Sequence, residues 1–211
     1  MHLIAINIGS GSQLKIGSRV TLTGIDKTSV PSAAIAPLGV TGDLVANQKH
    51  HGGPDQAVYV YSAEDYAWWA GQLGRELRPG TFGENLTLSA FGPGPMRIGD
   101  RYKIGAVELE VTAPRIPCST LSSHVGELDF IERFRAADRP GFYARVLTPG
   151  TVTVDDPVEV EPRASGATLI ELYRLWYKTA PEPDELTYAL AAPIAVRMRA
   201  RYEKLLNELT A

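Results

Sequence analysis

The chain has one cysteine, Cys118, among its 211 residues, so no internal disulfide can form and the fold must rest on its core. A reducing, cytoplasmic setting is the simpler expectation. There is no run of about 20 apolar residues, and no basic segment precedes the opening MHLIAINIGS, so neither membrane insertion nor secretion is supported. Charge of one sign is also lacking. The 21 Lys and Arg against 24 Asp and Glu give a formal net charge of -3, which offers no general attraction to a nucleic acid polymer or an anionic membrane. A CxxC pair, a four-cysteine iron–sulfur pattern and a GxGxxG after a strand are all absent, so the chain brings no visible electron-entry module.

What is abundant is punctuation. With 20 Gly and 15 Pro, the sequence favours many turns between short elements and disfavours a coiled coil or helical bundle. The clearest alternation is Val107, Glu108, Leu109, Glu110, Val111, a strand with one wet face. Further strands are predicted at 3–8, 19–22, 57–61, 101–104, 143–147, 151–154 and 158–160, a spacing that suggests a barrel or sandwich. Ser62 with Asp65 announces a helix carrying Tyr66, Trp69, Ala70 and Leu73, and a second helix is predicted over 127–136, with Val125, Leu128, Ile131 and Phe134 inward.

After Pro162 the pattern becomes helical. Thr168 with Glu171 is a capping-box signal, a short helix follows around 185–191, and Pro193 opens a third helix with Ile194, Met198, Tyr202 and Leu205 aligned. The expected fold is mainly β with some α, with a β domain over 1–163 and a three-helix domain over 164–211. Three short helices are marginal alone, so they are expected to dock on the β domain or on a partner subunit, which leaves a homodimer open. The tail carries no soft ligand. Its stripes read as packing, so it is expected to be dispensable for local chemistry.

Four segments carry candidate chemistry. The first, Gly42-Asp43 followed by Asn47 to Ala57, combines His50, His51, Lys49 and the pair Gly52-Gly53; glycines allow positive φ and close approach to an anion, and imidazole titrates near neutrality. Its bland alternative is a polar turn. In Ala113-Pro114-Arg115-Ile116-Pro117-Cys118, two prolines stiffen the approach to a thiol, and Arg115 offers a planar fork to a thiolate or a phosphate. The alternative is a small buried hydrophobe. In the third, Thr81 to Leu86, Asn85 can both donate and accept, and Glu84 is either a positioning group or surface charge. In the fourth, Arg139 to Val146, Arg145 lies on a predicted strand.

These motifs in this order, GD, HHGGPDQAVYVY, FGENL, IGDRYKIG, APRIPC and GFYARVL, resemble the molybdenum cofactor sulfurase C-terminal (MOSC) domain family, and within it the bacterial YiiM-like group associated with resistance to N-hydroxylated purines. The tail is similar to the three-helix extension of that group. The resemblance implies a β-barrel whose cleft holds a molybdenum pyranopterin cofactor, with Cys118 as the ligand to the metal. It implies reduction of N-hydroxylated bases or similar compounds, with electrons from a separate flavin or iron–sulfur reductase. An association with pyridoxal phosphate binding comes with the same family. Arg115, Asn85, Gly52, Gly53 and, more weakly, Arg145 are the matching candidates for holding the anionic cofactor or substrate, and His51 is a candidate proton donor. Two other readings stand beside it: a sulfur carrier using a Cys118 persulfide with His51 or His124 as base, and a cofactor-binding module without turnover.

Overall fold

A computed structural model describes residues 1–49 and 51–210. In chain order the strands are β1 (Leu3–Ile8), β2 (Ser12–Ile16), β3 (Arg19–Thr23), β4 (Thr28–Val30), β5 (Ser32–Ala36), β6 (Gly39–Val40), β7 (Val58–Ser62), β8 (Leu86–Leu88), β9 (Arg101–Ile104), β10 (Val107–Pro114), β11 (Phe142–Thr148), β12 (Gly150–Thr153) and β13 (Val158–Glu161). The α-helices are α1 (Ala63–Leu73), α2 (Ser119–Val125), α3 (Phe130–Ala137), α4 (Leu169–Tyr177), α5 (Pro183–Leu190) and α6 (Val196–Thr210).

Eight strands form one sheet in the order β13-β9-β10-β11-β7-β8-β1-β4, beside a three-stranded sheet β12-β5-β6 and the hairpin β2-β3. Within the large sheet β7 and β8 run parallel and the other pairs antiparallel. The order is open, but the start of β1 meets the approach to β13, where Leu3 N–H donates to the Asp156 carbonyl at 3.0 Å and Val158 N–H to that of Met1 at 3.0 Å. A few bonds, not a ladder, make this link. The fold is a mixed α/β arrangement on a large sheet, with helices at the C-terminal end of the chain.

The predicted alternation is realised in β10, where Val107, Leu109 and Val111 are buried and the glutamates between them are half-buried. Ser62 caps α1 by accepting from Asp65 N–H at 3.1 Å, which turns the chain sharply out of β7. That turn sets Trp69 against Phe130, Phe134 and Phe82, with ring centroids 5.0, 5.8 and 5.9 Å away, and Trp69 Nε1 donates to the Tyr61 hydroxyl at 2.8 Å. Gly141 has φ 59°, and a Cβ there would stand 2.5 Å from the Val60 carbonyl, so only glycine lets β11 begin this close to β7.

The helix predicted over 127–136 is α3, which starts only at Phe130, and a separate helix, α2, precedes it. Val125 is buried but closes α2, Leu128 is fully exposed in the connection, Ile131 is half-buried, and Phe130 and Phe134 hold α3 to the core. Gly126 at φ 83° ends α2, a left-handed stop inside a stretch whose apolar spacing reads as continuous. Strands β2, β4, β5, β6 and β8 were also unforeseen; they are short or exposed, with too few alternations to stand out.

The tail docks on the sheet. Ile98 N–H donates to the Ala167 carbonyl at 3.0 Å, Leu169 N–H to that of Met96 at 2.9 Å and Ala195 N–H to that of Thr112 at 3.0 Å, while Leu172, Tyr173, Met198 and Tyr202 join the common core. Among the described residues, no helix is long and apolar enough to cross a membrane.

The aromatic cluster gives a stability prediction. Phe82 is fully buried against Tyr61, Tyr66, Trp69 and Phe130. Phe82→Ala is expected to lower unfolding free energy by about 3–5 kcal/mol, read from the midpoint of urea denaturation at unchanged slope. A loss below about 1 kcal/mol would show that the cluster does not hold α1 and α3 to the sheet.

Candidate functional site

Two cavities of similar size differ in what lines them. One, of about 550 Å³, lies among α3, α4 and α5, and its rim charges answer one another, Arg174 with Asp138 and Lys178 with Glu185. The other, of about 540 Å³, is lined by Cys118, Arg115, His51, Tyr59 and Tyr143, with the loop from Asp43 to Gly52 and the end of β3 around its mouth. Its charges do not cancel.

One wall is built from three neighbouring strands. Arg115 leaves the end of β10 and is 5% exposed; its Nη1 donates to the Tyr143 hydroxyl on β11 at 2.8 Å, and its guanidinium stands over the Tyr59 ring of β7, 4.9 Å from the centroid. Among the described residues, Arg115 has no carboxylate partner and its buried Nε has no hydrogen-bond acceptor. Burial alone would lower its pKa, but the Tyr143, Cys118 and Tyr59 groups around it hold the pKa above the ordinary value, so it remains a cation. Burial likewise raises the Tyr143 pKa, with Arg115 opposing, so that hydroxyl keeps its proton at neutral pH. Three residues beyond Arg115, half-buried Cys118 stands at the N-cap of α2 and lines the same cleft.

The opposite wall is neutralised. Buried Lys27 is ion-paired with Asp43, whose other carboxylate oxygen accepts from Asn85 Nδ2 at 2.9 Å; Asn85 Oδ1 accepts from Tyr59 N–H at 3.1 Å. Burial lowers the Lys27 pKa, with Asp43 opposing. Glu84 is fully buried. Its Oε1 accepts from Gly80 N–H at 2.6 Å, from the Tyr66 hydroxyl at 2.8 Å and from Thr87 at 2.8 Å, which pins the turn that presents Asn85.

The mouth is formed by the histidine loop. Gly52 and Gly53 have φ 70° and 85°, and a Cβ on Gly52 would stand 3.1 Å from Val45. His51 Nδ1 is 3.5 Å from the Tyr143 hydroxyl. Burial first, then the Arg115 and Arg197 cations, push the His51 pKa down to about 4. Its ring is therefore neutral at pH 7, and the reason given for a proton donor, titration near neutrality, does not hold in the free protein. His50 lies outside the described residues.

A MOSC domain family model matches residues 47–159, the stretch that supplies His51, Tyr59, Asn85, Arg115, Cys118 and Tyr143. The chain belongs to the MOSC domain family. It is 33% identical to YflK of Bacillus subtilis (strain 168) over 210 residues, 98% of this chain and 95% of that protein. It superposes on the crystal structure of YiiM from Geobacillus stearothermophilus with a TM-score of 0.79 at 26% identity, over 97% of this chain and 98% of that one. A protein of Gibberella moniliformis (strain M3125 / FGSC 7600) named reductase is 34% identical over 59% of this chain, and the shared stretch is 23% of that longer protein. The family as a whole is associated with the molybdenum cofactor.

Within this MOSC domain the structure brings Cys118, Arg115, His51, Gly52 and Asn85 to one cleft. Asn85 is spent on the Tyr59 backbone and Asp43, so it shapes the wall and has little left for a ligand. Gly53 lies just outside the cleft lining, at the start of the 3₁₀ turn Pro54–Gln56. Arg145 is elsewhere. It pairs with Asp55 at 3.0 Å and Glu110 at 3.2 Å and donates to the Pro193 carbonyl at 3.1 Å, so it ties the tail to the sheet and does not line the cleft. A strand arginine opposite a glutamate finds its partner across the ladder, which one sequence does not reveal.

Sequence reasoning missed Lys27, Asp43, Tyr59, Tyr143 and Arg197 as contributors. Both tyrosines sit inside quoted motifs, but their roles come from the pairing of β7 with β11, where Tyr143 faces Tyr59. The tail does more than pack on the sheet, because Arg197 reaches the histidine loop. His124 on α2 does not line the cleft.

The depressed His51 value has a checkable sign. The unfolded chain binds this proton near its ordinary value of about 6.5, while the folded protein releases it down to about 4. Stability linked to His51 is present above the unfolded value and is lost as pH falls through that window. An imidazole NMR titration should give a midpoint near 4, moving upward when inorganic phosphate enters the cleft; a midpoint near 6.5 would mean a solvated ring remote from both arginines.

Proposed function

We propose that this MOSC domain protein is a molybdenum-cofactor-dependent oxidoreductase that reduces N-hydroxylated bases and related N-oxygenated compounds, a detoxifying role. The observation that carries the proposal is the buried Arg115, with a free Nε and no carboxylate partner among the described residues, beside the chain's one thiol in a cleft of about 540 Å³. The cleft volume lies within the range of about 300–1,000 Å³ common for small-molecule sites. An orphaned guanidinium suits a phosphate, and a thiolate is a soft ligand. Among the described residues no three His, Cys, Asp or Glu side chains gather as a metal cage, so a metal fitting this cleft brings most of its ligands with it.

When bound, that cofactor supplies the two-electron, oxygen-accepting chemistry by which R–NHOH, two electrons and two protons become R–NH₂ and water. The chain's residues do the rest. Cys118 would hold the group through sulfur, and Arg115 would retain its anionic end. The Tyr143 hydroxyl holds a proton at the wall of the cleft, and the neutral imidazole of His51 stands 3.5 Å from it. Burial keeps bulk water from the Tyr59 and Tyr143 rings, so the charge of Arg115 acts at close to full strength. Electrons arrive from a separate flavin or iron–sulfur reductase. The presence of the shared segment inside a longer relative named reductase supports coupling of this domain to reductive chemistry.

The deciding variant is Cys118→Ser, which changes little volume but replaces a soft, ionisable sulfur by a hydroxyl. Protein purified anaerobically from a cofactor-producing host is expected to keep its fold, lose reduction of N-hydroxylated substrate with a chemical reductant, and show one fewer sulfur neighbour in X-ray absorption at the molybdenum edge. A sulfur carrier would also lose activity. An identical sulfur shell in both proteins would remove Cys118 as ligand.

Arg115 gives an independent arm. Arg115→Ala is expected to weaken phosphate and cofactor retention by about tenfold or more, as loss of charged hydrogen bonds worth ~1.5–3 kcal/mol requires. Arg115→Lys should fall between, keeping the charge without the planar fork. Equal retention in wild type and Arg115→Ala, measured by calorimetry with phosphate, would take Arg115 out of the site.

A further inference from the structure

Arg197 is the second residue of α6, in the tail that follows the domain carrying the cleft. Its Nη1 donates to the Gly52 carbonyl at 2.8 Å and to Gln56 Oε1 at 2.5 Å, and its Nη2 to the Gln48 carbonyl at 2.8 Å and that of His51 at 3.4 Å. All four acceptors belong to the loop 48–56. No other side chain among the described residues gathers as many of its groups.

A second set of ties places Arg197 there. Val196 N–H donates to Asp55 Oδ2 at 2.8 Å, Asp55 Oδ1 pairs with Arg145 at 3.0 Å, and Ala195 N–H reaches the Thr112 carbonyl at 3.0 Å. The start of α6 is thereby fixed both to the sheet and to the turn that ends the histidine loop. The Asp55 carboxylate is taken up by Arg145 and the helix, and Arg197 has no ion-pair partner among the described residues. Its charge therefore acts on His51 together with that of Arg115.

We propose that Arg197 is a positioning residue that completes the cleft from the C-terminal helices, holding the loop 48–56 in its binding conformation and supplying a second uncompensated cation behind it. Carbonyls drawn back onto Arg197 leave the cleft face of the loop free of competing negative dipoles. The planar fork is needed for this, because four acceptors on one loop match a guanidinium and exceed the three donors of an ammonium. The inference rests on this cleft being the working site, as proposed above, and not on the metal or substrate that it takes.

The test uses the full chain without cofactor, so its failure is separate from failure of the redox reading. Amide hydrogen exchange over 48–56, calorimetric binding of inorganic phosphate, and the imidazole NMR signals of His51 are compared in wild type, Arg197→Ala and Arg197→Lys. The charged groups facing His51 are Arg115 and Arg197, with the Tyr143 hydroxyl beside them. In Arg197→Ala the loop amides should exchange at least about tenfold faster, phosphate should bind about tenfold more weakly, and the His51 signals should move, while the urea midpoint of the core changes little. Arg197→Lys should recover part of the phosphate affinity and little of the loop protection. Loop exchange, phosphate affinity and His51 signals all unchanged in a folded Arg197→Ala would overturn the proposal. Should Arg197→Ala fail to fold, Arg197→Lys decides: full loop protection with a lysine would overturn it.

Discussion

A guanidinium buried without a carboxylate is the constraint around which this molecule is organised. Withdrawing an ion from water costs several kcal/mol even after relaxation, roughly, so Arg115 persists only because its surroundings answer it. The Tyr143 hydroxyl accepts from it, and the Tyr59 ring presents its negative face, an interaction of about 2 kcal/mol when desolvated. Neither neutralises the charge. The remaining attraction is directed into the cleft, where an anion can satisfy the free Nε and a soft metal can meet Cys118.

The opposite wall solves the same problem differently. Lys27 is also buried, but Asp43 sits on it, and Asn85 and Gly9 hold the carboxylate in place through bonds of 2.9 and 2.8 Å. One side of the cleft is electrically closed and the other open. A ligand with an anionic end and a neutral end therefore meets a directed field and is oriented before any specific contact forms. The histidine loop belongs to the open side, where burial first and then the Arg115 and Arg197 cations lower the His51 pKa.

How much of this was legible depends on the range of the interaction. Local signals served well: the Ser62 and Thr168 caps start α1 and α4 as their spacing predicts, and the alternation in β10 buries the residues it should. Cys118 and Arg115 are close in sequence and stay close in space, so the stiff Pro-Arg-x-Pro-Cys segment could be singled out. What failed was mainly long-range. Leu128 has apolar spacing yet lies in a connection, because Gly126 stops the helix before it. Arg145 resembles a ligand-binding cation until Asp55 and Glu110 are seen beside it, and Arg197 resembles helix surface until the loop 48–56 folds against it. The helix stop that displaces Leu128 is local, but Arg145 and Arg197 each needed a partner 35 or more residues away, and no spacing rule connects them.

Tyr59 and Tyr143 occupy facing positions on the antiparallel pair β7 and β11, with ring centroids 5.1 Å apart. Successive side chains on a strand alternate between faces, so a slip of one residue in either strand would turn that strand's ring away from Arg115. The response to such an error is not graded: a slip of β7 removes the ring beneath the guanidinium, and a slip of β11 removes the hydroxyl bonded to it. Insertions and deletions within 58–62 or 142–146 are thus a different class of change from substitutions there. A chain can drift widely in the residues around these strands while remaining locked in their length.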